Sequence, residues 1–301
     1  MLWFLQATAA WLMTLLLHVI SPTGPLNALA PTDGITLTSG APYATGDGNT
    51  LDVYAPRPGA APAPVVVFFY GGAWASGSKE IYRYVGAALA ARGVMAVIPD
   101  YRVYPYVRFP TFMYDAAEAV AWTRANASRL GGDPRRLFLM GHSAGAQIAA
   151  LLAMDKRYLR SVDLSPQDVC GMIGLAGPYD FTQLRGVMVK EIFGPQIELD
   201  RAMPINFASS DNPPLLLLAG WSDFTVEPGN TQRLADRVRA AGGSVRAEFY
   251  SGIGHTTLLA ALSGSLAFLA PVREETMRFI DARGACSQAP RAVVGKGAHS
   301  G

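Results

Sequence analysis

Short apolar runs alternate along the chain with stretches of helical spacing, and each run is closed by glycine or by a polar turn. Pro64–Tyr70, PVVVFFY, is too short for a helix and is built from β-branched and aromatic residues, the pattern of a strand buried on both faces. Gly71 and Gly72 end it. Ile81–Arg92 then takes helical spacing and stops at Gly93, a natural C-terminal cap. The same alternation predicts strands in VMAVIPD, RLFLMG, GMIGLAG, LLLLAG and SVRAEFY, preceded by a short alternating strand in LDVYAP. It predicts helices over Phe112–Ala127, Ala144–Met154, Thr231–Ala241 and Val272–Arg283. Strand and helix in strict succession imply right-handed crossovers and a mostly parallel sheet covered on both faces, a doubly wound α/β fold. One polar, proline-broken insert, Pro178–Pro214, interrupts the order and is too short for a large cap.

Outside this body the pattern changes. Leu2–Ile20 carries no charged side chain, and WLMTLLLHVI has the look of the apolar core of a signal peptide. Ala28–Ala30 forms a small-x-small cleavage pattern, but Pro31 follows it and no Lys or Arg precedes the apolar run, so an uncleaved anchor is the rival reading. The expectation is export or membrane association through residues 2–20, against a cytoplasmic alternative. The chain divides into an N-terminal signal or anchor (1–30), a connector (31–46), a catalytic body (47–283) and a disordered tail (284–301).

Composition adds exclusions. Half of the 301 residues are hydrophobic and 16% are charged, enough for a sizeable core. Twenty-five basic and 23 acidic residues, with no like-charge run, leave no nucleic-acid footprint. Cys170 and Cys286 are far apart and fit no CxxC pattern, so a zinc site is not indicated; two separate thiols are expected over a single bridge. Oligomeric state is not legible.

The chemistry centres on LFLMGHSAGAQIAA, Leu137–Ala150. Ser143 stands where a strand pattern becomes a helix pattern, with Gly141 and Gly145 at the two positions that approach each other in a sharp turn. A serine hydroxyl needs a base. Of the four histidines, His18 lies in the apolar N-terminus, His299 in the tail, and His142 beside Ser143 but turned from its hydroxyl; His255 follows the last strand in a glycine-bearing loop. Asp223, three residues past LLLLAG, gives the order Ser, Asp, His, with Asp180 and Glu227 as competitors. The amides of Gly72, Ala73 and Ala144 are the candidate oxyanion donors. Trp74, Tyr101, Tyr104, Phe112 and Trp221 are candidate pocket aromatics, although core positions are the commoner fate of such residues.

YGGAWASGSK (Tyr70–Lys79), PDYR (Pro99–Arg102), GHSAG (Gly141–Gly145), PPLLLLAGWSD (Pro213–Asp223) and GIGHTTL (Gly252–Leu258) occur in an order that resembles an α/β-hydrolase of the carboxylesterase group, with its hormone-sensitive-lipase-like and isoprenylcysteine-methylesterase-like members. The resemblance spans about Asp52–Arg283. It implies the α/β-hydrolase fold without a large cap, a serine carboxylesterase of small or medium acyl esters, a small-molecule ester as partner, no metal or organic cofactor, and structural roles for Asp100 and Arg102. Tyr70 stands where the group usually has histidine, and Ala73 where it often has glycine, which bears on loop support and acyl-pocket shape. An arylformamidase-type amidase and a silent, membrane-anchored binding module are the alternative readings.

Overall fold

A computed structural model describes residues 23–46, 48–57, 59, 61–181, 187–194 and 196–286. The strands are β1 (Ile35–Pro42), β2 (Thr50–Pro56), β3 (Ala63–Phe69), β4 (Met95–Pro99), β5 (Gly132–His142), β6 (Gly171–Leu175), β7 (Leu215–Gly220) and β8 (Val245–Tyr250). Among the described residues they form an eight-stranded sheet in the order β1-β2-β4-β3-β5-β6-β7-β8. β1 and β2 pair antiparallel at one side, and every pairing from β4 through β8 is parallel. This is the expected doubly wound α/β architecture, and its strand order and layering are those of the α/β-hydrolase fold.

The helices are α1 (Gly24–Ala28), α2 (Arg83–Ala90), α3 (Thr111–Asn126), α4 (Ala144–Met154), α5 (Lys156–Arg160), α6 (Val187–Phe193), α7 (Gln196–Arg201), α8 (Gly229–Ala240), α9 (His255–Ala260) and α10 (Val272–Asp281). α4, AGAQIAALLAM, is buried along its whole length, which suits a helix apolar on all sides and small enough to lie close on the sheet. β3, β4, β6 and β7 are buried at every position, as strands covered on both faces should be. Register brings Phe69, Gly141, Gly174 and Leu217 level on four neighbouring strands, so the loops that follow open at one edge.

Four expectations need correction. β1 lies inside the stretch read as a connector and pairs with β2 from Ile35↔Pro56 to Pro42↔Thr50. As an edge strand it is mostly exposed, so ITLTSGAP carries no apolar alternation to betray it. Cys170 and Cys286 are joined in a disulfide across 116 residues, not separate thiols. That bond, with the Cys286 N–H donating to Arg135 O at 3.0 Å, ties Gly284–Cys286 to the body, although sequence assigned them to the tail. His255 opens the short helix α9 where a loop was expected. The apolar segment 2–20 and the tail from residue 287 lie outside the described residues; within those residues no helix is long and apolar enough to cross a membrane.

Candidate active site

Ser143 sits between the end of β5 and the start of α4 with φ 55° and ψ −125°, a backbone conformation rarely held by a non-glycine residue. The flanking glycines explain how the turn closes. A Cβ on Gly141 would lie 2.1 Å from Gly145 O, and one on Gly145 would lie 2.1 Å from Phe69 O and 2.4 Å from Tyr70 O. Any side chain at either place collides with backbone, and the Ser143 N–H is fastened to Leu175 O at 2.9 Å.

Asp223 and His255 come from the loops after β7 and β8, on the same edge. Ser222 N–H donates to Ile253 O and Trp221 N–H to Tyr250 O, each at 2.9 Å, so the loops after β7 and β8 are stitched together. Asp223 Oδ2 then stands 2.8 Å from His255 Nδ1. Burial alone would raise the Asp223 carboxyl, but the His255 bond and the N–H groups of Val226 and Thr225 outweigh it and hold the group below the usual aspartate value. Being ionised, it only accepts; the Nδ1 therefore carries a proton, and Nε2 is the ring nitrogen left clear of Asp223. No hydrogen bond joins the Ser143 hydroxyl to His255 among the described residues. The competitors are committed elsewhere: Asp180 Oδ2 accepts from Arg233 Nε at 2.7 Å, and Glu227 lies 3.7 Å from Arg233 Nη1.

His142 reaches further than sequence foresaw. Its ring packs 4.6 Å from that of His255, and Nε2 lies 3.1 Å from the His255 carbonyl oxygen, which can only accept. The imidazole is thus an Nε2–H donor beneath the candidate base. Burial, and then the neighbouring His255, push its pKa down to about 3.

The loop after β3 carries the other half of the site. Gly72 (φ 137°), Ala73 (φ 52°) and Trp74 (φ 58°) form a left-handed run, and a Cβ on Gly72 would meet Ser76 O at 2.0 Å. The N–H groups of Gly72 and Ala73 donate no hydrogen bond among the described residues, and Ala144, at the first position of α4, has no helical acceptor for its own N–H. Support for the loop comes from below. Tyr70 Oη donates to Asp100 Oδ1 at 3.0 Å, Lys79 Nζ pairs with Asp100 Oδ2 at 2.7 Å, and the Tyr70 ring stacks on Tyr82 and Tyr101 at 5.4 and 4.7 Å. The departure at Tyr70 is therefore a strut. Arg102 grips Asp115 through Nε and Nη2, which matches its expected structural role.

Two pocket expectations fall differently. Tyr101 is buried and its hydroxyl donates to Tyr70 O at 2.7 Å, so it props the loop and does not line a pocket. Trp221 is mostly exposed and stacks on Phe249 at 4.8 Å, which puts it on the rim. Phe112 is core. Trp74 is buried against Phe181 and Phe193 at 5.7 and 4.9 Å, and its Nε1–H donates to Gln147 Oε1 at 3.0 Å. Gln147, absent from the sequence-based site, lies one turn beyond Ser143 and donates through Nε2 to Ala202 O at 2.7 Å. Only its polarity within an otherwise apolar helix marks it in the sequence. Among the described residues no group of three His, Cys, Asp or Glu side chains is placed to hold a metal ion.

With this geometry in view, residues 51–238 match the family model BD-FAE. The chain belongs to the BD-FAE family. It is 32% identical over 232 residues to the isoprenylcysteine α-carbonyl methylesterase of Arabidopsis thaliana, covering 70% of this chain and 54% of that protein. It is 33% identical over 201 residues to esterase LipC of Mycobacterium tuberculosis, covering 61% and 50%. The BD-FAE chain thus spans about half the length of the curated relatives it matches. Among solved structures, esterase B from Lactobacillus rhamnosis aligns with TM-score 0.76 at 18% identity over 92% of this chain and 95% of that one. A truncated carbohydrate esterase from gut microbiota aligns with TM-score 0.72 at 19% identity over 84% and 98%. At such identities these two likenesses establish the α/β-hydrolase fold of this BD-FAE chain.

Proposed function

We propose that the protein is a serine carboxylic-ester hydrolase acting on small or medium acyl esters. The observation that carries the reading is the 2.8 Å contact of Asp223 with His255 at the edge where Ser143 is held on its strained turn. The names of the relatives, methylesterase and esterase, support the same class.

In the proposed mechanism His255 Nε2 takes the Ser143 proton as the hydroxyl oxygen attacks the ester carbonyl, and Asp223 stabilises the imidazolium through Nδ1–H. The Gly72, Ala73 and Ala144 amides receive the charge that develops on the carbonyl oxygen. His255 returns the proton to the departing alcohol, and water, activated by the same imidazole, releases the acid from Ser143. The Ser143 hydroxyl and His255 Nε2 have to come within hydrogen-bond reach for the attack to begin. A short insert, built in part from α6 and α7, supports access for modest acyl groups.

A fluorophosphonate probe should label the protein, and Ser143→Ala should abolish labelling while cutting turnover of a short-chain p-nitrophenyl ester by about 10⁴-fold or more. An unlabelled wild type, or a Ser143→Ala variant with unchanged turnover, overturns the reading. A series of p-nitrophenyl esters checks the acyl range, with turnover expected to fall for long chains.

A further inference from the structure

The chain that precedes the sheet is docked beside the candidate site. Asn27, in α1, donates through Nδ2 to Glu80 O and Ile81 O at 3.0 and 3.1 Å, and its Oδ1 accepts from the Tyr84 N–H at 3.0 Å. Both amide protons and the amide oxygen are thereby used on the turn that opens α2. That turn follows the oxyanion loop directly, and Tyr82 Oη donates to Gly71 O within it at 3.4 Å. Upstream chain therefore departs from the edge of the sheet that carries Ser143. Cleavage after Ala30 would discard Asn27 and its three bonds. Beyond α1, only Ser21–Thr23 separates Gly24 from the charge-free stretch Leu2–Ile20. Covalent geometry limits those few residues to about 10–14 Å, against a radius of gyration on the order of 18 Å for a domain of this size. So short a link does not let the opposite edge turn toward whatever holds residues 2–20.

The exposed aromatics gather on the same edge. Tyr106 (87% exposed) is in the loop after β4, and Trp221 (59%) and Phe224 (98%) are in the loop after β7. Phe268 (79%) lies between α9 and α10. α10 starts at this edge, for its far end places Phe279 against Gly171, which opens β6, and against Phe138, level with Gly171 on β5. In the sheet β4 and β7 each stand two strands from β5, so the aromatics flank Ser143 across about 19 Å at the usual strand spacing. Of the other large hydrophobics exposed among the described residues, Leu29 adjoins α1, Tyr114 is in the first turn of α3, and Leu37 is on β1. Leu37 is level with Tyr54 and Ala96 near the start of β4, an aliphatic side chain toward the opposite edge, where none of these exposed aromatics is in a loop.

We infer that the edge bearing Ser143 faces a lipid bilayer: α1 holds the chain by that edge to a membrane-inserted N-terminal segment, and Tyr106, Trp221, Phe224 and Phe268 rest in the headgroup region. Tyrosine and tryptophan suit that layer because an apolar ring meets lipid while a polar group stays wet. The inference extends the esterase reading, in that an ester dissolved in the bilayer reaches Ser143 without crossing bulk water. Its test requires no catalysis. The full chain is reconstituted in phosphatidylcholine vesicles with an environment-sensitive fluorophore on Phe268→Cys or Tyr106→Cys, and, as the far-edge control, on Arg92→Cys beyond the end of α2. Both rim labels should shift to the blue and be quenched by nitroxide-bearing phosphatidylcholine, while the Arg92→Cys label stays unshifted and unquenched. The inference fails if the rim and far-edge labels respond alike, if the chain does not bind vesicles, or if intact mass shows that the protein begins after Ala30. It also fails if the rim labels shift without lipid as protein concentration rises, which would make the edge a contact between copies of this chain. None of these results depends on ester turnover, so they leave the Ser143 assignment to its own assay.

Discussion

The imidazole of His142 donates to the backbone carbonyl of His255, 113 residues away, at 3.1 Å and packs tilted against its ring at 4.6 Å. It thus fixes the candidate base without exchanging protons with it. His142→Ala should lower kcat by about ten- to a hundredfold through misplacement of His255, far less than His255→Ala. His142→Gln, which can keep a donor near the Nε2 position, should restore most of the loss. Steady-state kinetics on one p-nitrophenyl ester decides this, and equal losses in His142→Ala and His255→Ala would give His142 a direct part in proton transfer.

The same residue predicts an acid weakness of the fold. Unfolded chain protonates an imidazole near pH 6.5 or about that value, whereas the folded site, facing His255 and Asp223, keeps His142 neutral down to about 3. Between those values the unfolded state binds the extra proton. Stability therefore falls as pH drops through this window, by up to about 1.4 kcal/mol per pH unit. Asp223 adds to the loss at lower pH, since its depressed carboxyl stabilises the fold only while ionised. Urea midpoints between pH 7 and pH 4 should decline less steeply in His142→Gln.

Gln147 clamps three separate parts of the site, its own helix α4, the Trp74 indole and the Ala202 carbonyl. Gln147→Leu leaves the last two buried and unpaired, at about 1–3 kcal/mol each. With Trp74 loosened, the Ala73 amide loses its aim. If Ala73 is the oxyanion donor proposed above, kcat should fall by about ten- to a hundredfold with KM little changed, because such a donor acts in the transition state. Gln147→Glu keeps the acceptor for Trp74 and should recover part of kcat, a split that general destabilisation does not produce.

Two glycine substitutions separate close approach from mere flexibility. Gly145→Ala drives a methyl into Phe69 O and Tyr70 O, so it should lower stability by more than about 1–3 kcal/mol and remove activity. Gly264→Ala meets only Arg273 Nη1 at 3.5 Å and should stay within about 0.5 kcal/mol of the parent. Thermal denaturation of the pair checks both.

Opening the Cys170–Cys286 bridge should destabilise the fold without touching the chemistry. Cys170 lies just before β6, at the edge opposite Ser143. Replacing both cysteines with serine should cost about 2–5 kcal/mol, with kcat/KM unchanged at temperatures where the variant remains folded.

The parts of the site that sequence revealed are those where chemistry narrows the choice of residue. Ser143 is legible through Gly141 and Gly145, because only glycine tolerates the approach of one to Gly145 O and of the other to Phe69 O and Tyr70 O, and His255 because few histidines compete with it. β3, β4, β6 and β7 are legible because burial on both faces leaves unbroken apolar runs. β1 is not, since a solvated edge strand imposes no pattern. Long-range partners are silent for a different reason. The Tyr101 hydroxyl on Tyr70 O, the Trp74 indole on Gln147 and the Cys170–Cys286 bond link residues whose spacing along the chain says nothing of their distance in space.

The disulfide also divides the protein in a way the sheet does not. Its covalent ring runs from Cys170 to Cys286 and encloses Asp223 and His255, whereas Ser143 and the Gly72–Ala73 loop hang outside it on the N-terminal arm. A protease that nicks anywhere within that ring, the insert before α8 included, leaves every fragment attached under oxidising conditions. Cut once there, the chain still migrates as one species until a reductant is added, and the carboxylate–imidazole pair stays tied to the body that carries the serine.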